Sequence, residues 1–155
     1  MQNTHMRGVL RHLHEALIDV VGVINRPQND VILLREAGVS LDRALFPLLV
    51  VIQRRGPIAV GDLADRIGRD YTTVSRQVAK LERLGLVTRR AGNADRRVTE
   101  AVVTGQGQAM SDALDTARER LARVALAGWS ESDLKDLARL LRRLADSLMQ
   151  GPREL

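Results

Sequence analysis

Gly61-Asp-Leu-Ala-Asp-Arg-Ile-Gly-Arg-Asp70-Tyr-Thr-Thr-Val-Ser-Arg-Gln-Val-Ala-Lys80-Leu-Glu-Arg-Leu-Gly-Leu-Val-Thr-Arg-Arg90-Ala-Gly-Asn-Ala-Asp-Arg-Arg-Val-Thr-Glu100-Ala-Val-Val-Thr104 is the stretch on which the fold turns. Leu63, Ala64 and Ile67 form one apolar stripe at helical spacing, Gly68 permits a break, and Asp70 suits the N-cap of a second helix. In that helix Val74, Val78 and Leu81 fall within a narrow arc at about 100° per residue, which gives it a single inner face. The opposite face carries Thr72, Ser75, Arg76, Ala79, Lys80 and Arg83, with Thr73 and Gln77 at its edge.

An outer face of hydroxyls, an amide and positive charge is matched to the major groove of double-stranded DNA. Arg donates bidentately to guanine, Gln to adenine, Thr and Ser to either, and a methyl such as that of Ala79 packs on thymine. An ordinary amphipathic helix with a solvated face has the same pattern, so the residues C-terminal to the helix decide between the two. Gly85 suits the position just past a helix end, and Leu86-Val87-Thr88 is β-prone. Ala91-Gly92-Asn93-Ala94-Asp95 is turn chemistry, and Val98 to Val103 is β-branched enough to pair back. Between them lie Arg89, Arg90, Arg96 and Arg97, a cationic hairpin tip of the kind that reaches a phosphate backbone or a narrow minor groove. Helix, turn, helix and basic hairpin in that order describe a winged helix-turn-helix.

Five segments carry a resemblance to a known family. Leu63-Ala-Asp-Arg-Ile-Gly68, Thr72-Thr-Val-Ser-Arg76, Leu81-Glu-Arg-Leu-Gly-Leu-Val87, Asp95-Arg-Arg97 and Val103-Thr-Gly-Gln-Gly107 resemble the multiple-antibiotic-resistance regulator (MarR) family. The family's wing pattern is Asp-x-Arg followed by an apolar-Thr-x-x-Gly. The likeness is close over about 45 residues and extends as a helix layout over the rest. It implies that Arg97 enters the minor groove, that Asp95 braces Arg97 by a salt bridge within the wing, and that Thr72, Thr73, Ser75 and Arg76 lead the recognition helix. It also implies a repressor released by a small, often aromatic and anionic, effector held between dimer helices and DNA-binding lobe. The chain departs from the family pattern at Tyr71, where a small polar residue is usual, and at Pro47, inside the helix upstream.

The charge is concentrated where this reading needs it. Residues 54–97 hold ten Arg and Lys80 against Asp62, Asp65, Asp70, Glu82 and Asp95, a net of +6, whereas the whole chain is +5. Positive charge clustered on one element marks a polyanionic partner, because each neutralised phosphate releases counterions. An arginine-rich composition without that purpose would spread its charge evenly.

Composition narrows the remaining classes. With 155 residues the chain is one domain, and with only Phe46, Tyr71 and Trp129 as aromatics its core is expected to be Leu, Val, Ile and Ala packed between helices. The absence of cysteine excludes disulfides, zinc fingers and thiol redox sensing. The longest apolar run, Leu45 to Ile52, is too short to span a bilayer, so no membrane association and a cytoplasmic location are expected. No catalytic signature is present: there is no Cys nucleophile, His-Glu-x-x-His, phosphate-cradling loop or Gly-x-Ser-x-Gly elbow, and no enzyme activity or cofactor is expected. The lone Gly105-Gln-Gly107 follows no dinucleotide-binding strand pattern and is read as structure. His12 and His14 point to different sides of one helix, and His5, His12 and His14 are assigned no metal.

From the N-terminus, Met6, Leu10, Leu13, Leu17, Val20 and Ile24 step by four and three, predicting a helix from about Thr4 to Ile24. Arg26 to Asp30 leads into a short helix over Val31 to Ala37, closed by Gly38. Ser40 caps a third over Leu41 to Arg54, in which Pro47 brings a kink or a delayed start. Gly56-Pro57 stops it, and Ile58-Ala59-Val60 forms a short strand beside the wing. Thr104 to Gly107 turns into a helix with Met110, Leu114, Ala117, Leu121 and Val124 on one side, running to Gly128. Ser130 caps a last helix with stripe Leu134, Leu137, Leu141, Leu144 and Leu148, ended by Gly151-Pro152, and Trp129 is a packing anchor at the corner.

The fold class is therefore mainly α with a small β wing: residues 1–37 and 105–155 as a helical dimerisation region, residues 40–104 as the winged helix-turn-helix lobe. The long stripes of the terminal helices exceed what one small lobe covers, and a second copy is the natural cover. Two recognition helices related by a twofold axis read a palindrome with half-sites about 10 bp apart. The reading is a homodimeric, sequence-specific double-stranded DNA-binding transcriptional regulator, with Thr72, Thr73, Ser75, Arg76, Gln77, Lys80, Arg96 and Arg97 at the DNA. The alternative is a winged-helix protein–protein interaction or architectural DNA-binding module without ligand sensing, which would favour exposed aromatics or Met over Thr, Ser, Arg and Lys. The residues do not identify the operator, the effector or its pocket, or the sign of regulation.

Overall fold

A computed structural model describes residues 2–151, with side chains from residue 4. In chain order the elements are α1 (Gln2–Ile24), α2 (Pro27–Ala37), α3 (Phe46–Arg55), β1 (Ile58–Ala59), α4 (Val60–Ile67), α5 (Tyr71–Arg83), β2 (Val87–Ala91), β3 (Thr99–Val103), α6 (Gly105–Ala125) and α7 (Glu131–Met149). The chain is mostly helical, with one antiparallel sheet of order β1-β3-β2. It forms two compact units, one up to Glu119 and one from Arg120.

The centre of the first unit is aliphatic. Leu48, Leu49 and Ile52 of α3, Leu63 of α4, and Val74, Val78 and Leu81 of α5 are fully buried together with Ala101 of β3 and Leu114 of α6. Burying a Leu, Ile or Val side chain is worth about 1.5–3 kcal/mol each, so the period-3.6 stripes fix how the short helices meet. Gly68 (φ 72°) and Gly85 (φ 76°) adopt the left-handed conformation that an L side chain resists. Gly68 closes α4 and lets the chain reverse into α5, while Gly85 turns the end of α5 into β2.

Several element boundaries differ from those expected. α2 starts at Pro27 rather than Val31, since a proline at the first helical position forgoes only an N–H that has no partner there. α3 begins at Phe46, and Ser40 caps nothing. Residues 41–45 instead form a turn in which the Asp42 carboxylate accepts from Ala44 N (2.9 Å) and the Asp42 carbonyl from Leu45 N (2.8 Å). Pro47 then falls at the permitted start of the helix, which is the delayed start that its missing donor predicts. Val60 opens α4 instead of ending the strand.

β1 pairs with β3 through Ile58↔Ala101 and Ala59↔Glu100, while β2 and β3 run from Val87↔Val103 to Ala91↔Thr99. Thr104-Gly-Gln-Gly107 is not a separate turn but the entry to α6. Thr104 Oγ1 donates to Gly85 O (2.6 Å) and accepts from Gly107 N (3.0 Å), capping the helix and tying it to the end of α5.

Within the second unit Ser130 caps α7 by accepting from Asp133 N. α6 ends at Ala125, three residues before Gly128, and Gly151 ends the described chain in the left-handed region, with Pro152 outside the described residues. Trp129, expected as a packing anchor, is about half exposed. Leu140, Leu141, Leu148 and Met149 are likewise exposed, and in the first unit so are Met6, Val9, Leu10, Leu13, Val20 and Ile24 of α1.

Candidate nucleic-acid interface

α5 is held by its ends and its inner face. At its start the Asp70 carboxylate accepts from Thr73 N (2.9 Å) and Thr73 Oγ1 (2.6 Å), and these bonds, the hydroxyl's first, hold Asp70 below the usual carboxylate range. With Val74, Val78 and Leu81 buried, Thr72, Arg76, Lys80 and Arg83 are left on the outer side, and Ser75 and Ala79 lie partly covered at the flanks. Tyr71, the first helical residue, is exposed beside Thr72.

Two residues expected at base edges are engaged within the lobe. Arg69, in the turn before α5, donates to Ala44 O (2.8 Å) and to Gln77 Oε1 (3.1 Å). A guanidinium only donates, so this contact takes the amide oxygen and leaves Gln77 its N–H donors. The bidentate adenine contact expected of Gln77 draws on the same oxygen, through its second lone pair. Thr73 spends its hydroxyl proton on Asp70 and serves first as part of the cap. Lys80 Nζ lies 3.6 Å from Asp42 Oδ2 in the turn before α3.

The wing is a ladder of paired charges with an open tip. Glu82, at the end of α5, accepts from Arg89 N (2.8 Å), Arg89 Nε (3.2 Å) and Arg89 Nη2 (2.9 Å), bonds that depress its carboxyl. Arg90 sits opposite Glu100 in the β2–β3 register and pairs with it at 3.6 Å. At the tip Asp95 accepts from Arg97 N (3.0 Å) and Arg97 Nε (3.2 Å), the backbone bond contributing most to lowering its carboxyl. The Arg97 side chain is nonetheless 92% exposed. The tip closes through Gly92 N to Val98 O (2.8 Å) and Val98 N to Asp95 O (3.1 Å). Arg76, Arg83 and Arg96 make no ion pair among the described residues.

Asp42, Arg69, Glu82 and Glu100 organise this surface without a signal that the sequence reading uses. Glu100 is recoverable, since hairpin pairing places it across from Arg90. The partners of Asp42 and Arg69 are 38 and 25 residues away, as Lys80 and Ala44, and no local pattern announces them. His5, His12 and His14 are exposed on α1, and no group of His, Cys, Asp and Glu suited to a metal ion occurs among the described residues. None of the described helices is long and apolar enough to cross a membrane.

Comparison with known proteins agrees with this architecture. A family model described as the MarR family matches residues 41–99. The uncharacterized HTH-type transcriptional regulator YxaD of Bacillus subtilis is 30% identical over 105 residues, covering 68% of this chain and 73% of YxaD. A crystal structure of MarR superposes with a TM-score of 0.73 at 26% identity, covering 86% of this chain and 91% of that one. Streptococcus pneumoniae FabT, crystallised in complex with DNA, shares the fold with a TM-score of 0.63 at 17% identity, over 92% of this chain and 99% of its own. The chain belongs to the MarR family, whose relatives include HTH-type transcriptional regulators.

Proposed function

We propose that this MarR-family transcriptional regulator binds double-stranded DNA sequence-specifically, as a homodimer on a pseudo-palindromic operator, and acts as a repressor released by a small effector. The observation that carries the DNA reading is the division of α5: an inner face of Val74, Val78 and Leu81 with no solvent exposure, and an outer face on which Thr72 and Arg76 are exposed. Thr72, Ser75 and Arg76 face the major-groove bases, Gln77 adds N–H donors at its flank, and Thr73 fixes the helix start. Lys80 and Arg96 meet phosphates. Arg97, braced by Asp95, enters the minor groove, where a narrow groove concentrates negative potential. The DNA complex of FabT supports this use of the fold.

The dimer is supported by α1, on which Met6, Leu10, Leu13 and Ile24 are each about half exposed at helical spacing, a surface that a second copy would cover. The effector rests on family resemblance, which favours a small aromatic anion. Binding of the purified protein to a fluorescent fragment of its own upstream region, at two salt concentrations and against scrambled competitor, tests the reading. Tight, salt-sensitive binding that scrambled duplex fails to displace is expected. Displacement by scrambled duplex at equal concentration would reduce the protein to a non-specific or architectural DNA binder.

A further inference from the structure

Among the described residues, Lys80 is the one basic residue on the outer face of α5 that carries an ion pair, and its partner is built into the fold. Asp42 Oδ2 stands 3.6 Å from Lys80 Nζ, with each side chain about half exposed. The carboxylate is held in place: Asp42 Oδ1 accepts from Ala44 N (2.9 Å), and Asp42 O accepts from Leu45 N (2.8 Å). Within the same turn Arg43 reaches Asp30 of α2 (3.2 Å) and Ala44 O receives Arg69 from the turn before α5 (2.8 Å). A fixed carboxylate therefore faces an ammonium on a flexible four-carbon stem, and of the two only the lysine is free to leave.

We propose that Asp42 is an intramolecular stand-in for a DNA phosphate, which holds Lys80 off the backbone and lowers the affinity of the lobe for all DNA. The inference rests on the DNA-binding reading above and adds to it a positioning residue that touches no base. A phosphate oxygen must displace Asp42 from Lys80, and the carboxylate left behind then sits beside a polyanion. An exposed ion pair of this kind is weak, which suits a contact that must yield to DNA.

The test is a double-mutant cycle on the full chain, with D42N, K80A and the pair, measured by fluorescence anisotropy on operator and scrambled duplex over a range of salt. Asn keeps the acceptor for Ala44 N and removes the charge. D42N is expected to raise affinity about two- to fivefold on both duplexes, the range set by an exposed ion pair. It should change the slope of log affinity against log salt by well under the roughly 0.9 that a whole additional phosphate contact would bring, since Lys80 meets the same phosphate in both proteins once bound. In the K80A background D42N should raise affinity by clearly less than in the wild-type background, the remainder being the repulsion between the Asp42 carboxylate and the polyanion. An equal rise in that background would mean that Asp42 acts by general repulsion and not through Lys80, and no rise in the wild-type background would remove Asp42 from the interface; either result overturns the proposal. Failure of the wild-type protein to bind DNA in the same titration would overturn the DNA reading itself, and this inference with it. Circular dichroism melts of each variant, unchanged from wild type, exclude a folding defect as the source of any difference.

Discussion

Gly107→Ala is expected to separate the wing from the helix after it. A methyl at Gly107 would lie 2.0 Å from the Leu86 carbonyl oxygen and 2.8 Å from Val103 Cγ2. The first obstacle is backbone, already accepting a hydrogen bond from Thr104 N at 3.1 Å, so relief requires the first turn of α6 to lift by about 1 Å from the start of β2. That shift strains the cap in which Gly107 N donates to Thr104 Oγ1 and Thr104 Oγ1 to Gly85 O. Overpacking of this sort costs about 1–3 kcal/mol, and each weakened hydrogen bond adds about 0.5–1.5 kcal/mol. Allowing for partial relaxation, the sum is a loss of about 2–4 kcal/mol.

Urea denaturation at matched protein concentration measures it, with the slope unchanged if the two end states keep their compactness. Gly105→Ala is the internal control: two residues away in the same helical turn, it has nothing within 4 Å of the added methyl. There the loss of unfolded-state freedom should make alanine neutral or stabilising by up to about 1 kcal/mol. The reasoning is refuted if Gly107→Ala stays within about 0.5 kcal/mol of wild type, or if both substitutions cost the same, since a general intolerance of alanine at the helix start would then explain the result better than close approach.

Arg76→Ala should lower operator affinity by about 1–3 kcal/mol and relax discrimination between operator and scrambled duplex; equal losses on both would contradict a base-reading role. Removing Arg96, which has no ion-pair partner among the described residues, should flatten the salt dependence more than removing Arg90, which is paired with Glu100; anisotropy titrations in which Arg90→Ala has the larger effect would reverse the assignment. Asp70, Glu82 and Asp95 are all held below their ordinary values of 3.8, 4.5 and 3.8, so the unfolded chain binds their protons more readily. Their contribution is therefore fully present above those ordinary values and drains away as pH falls through the lowered native ones. Urea midpoints should decline on acidification below about pH 4.5, less steeply when Glu82 is replaced by Gln, and a midpoint that holds or rises there would show the sign to be wrong.

Most of the fold is legible in the sequence because its signals are local. Gly68 and Gly85 mark left-handed turns, Asp70 and Ser130 cap helices within three residues of themselves, and the stripes of α4 and α5 repeat over two or three turns. The misplaced starts of α2 and α3 share a cause. At α2 and α3 a proline sits at the helix start, and in the sequence it reads as preceding one helix and interrupting the other. The site is harder to read, because a helical wheel gives direction but no partner. The wheel puts Gln77 at the edge of the outer face, and only the fold brings in Arg69 to take its amide oxygen. It places Lys80 with the other outward groups, whereas Asp42 faces it from 38 residues upstream.

The pairing of charges answers a difficulty that the sequence poses. A wing dense enough in arginine to hold a phosphate backbone should repel itself when no DNA is present. Here the arginines within the ladder, Arg89 and Arg90, are matched by Glu82 and Glu100, one at the end of α5 and one on the facing strand, while Arg96 at the tip has no match among the described residues. Exposed pairs of this kind stabilise by about 0–1 kcal/mol each, enough to keep the hairpin's charges from repelling one another but too little to compete with a phosphate for the same arginine. Net charge along the chain thus gives the sign of the partner, and the placement of the acids grades how readily each cation would answer to it. The same logic extends from the wing to α5, where Arg76 has no ion pair among the described residues and Lys80 is paired with Asp42, so the two cations on one helix face would differ in how readily they meet a phosphate although their positions on the helical wheel are alike.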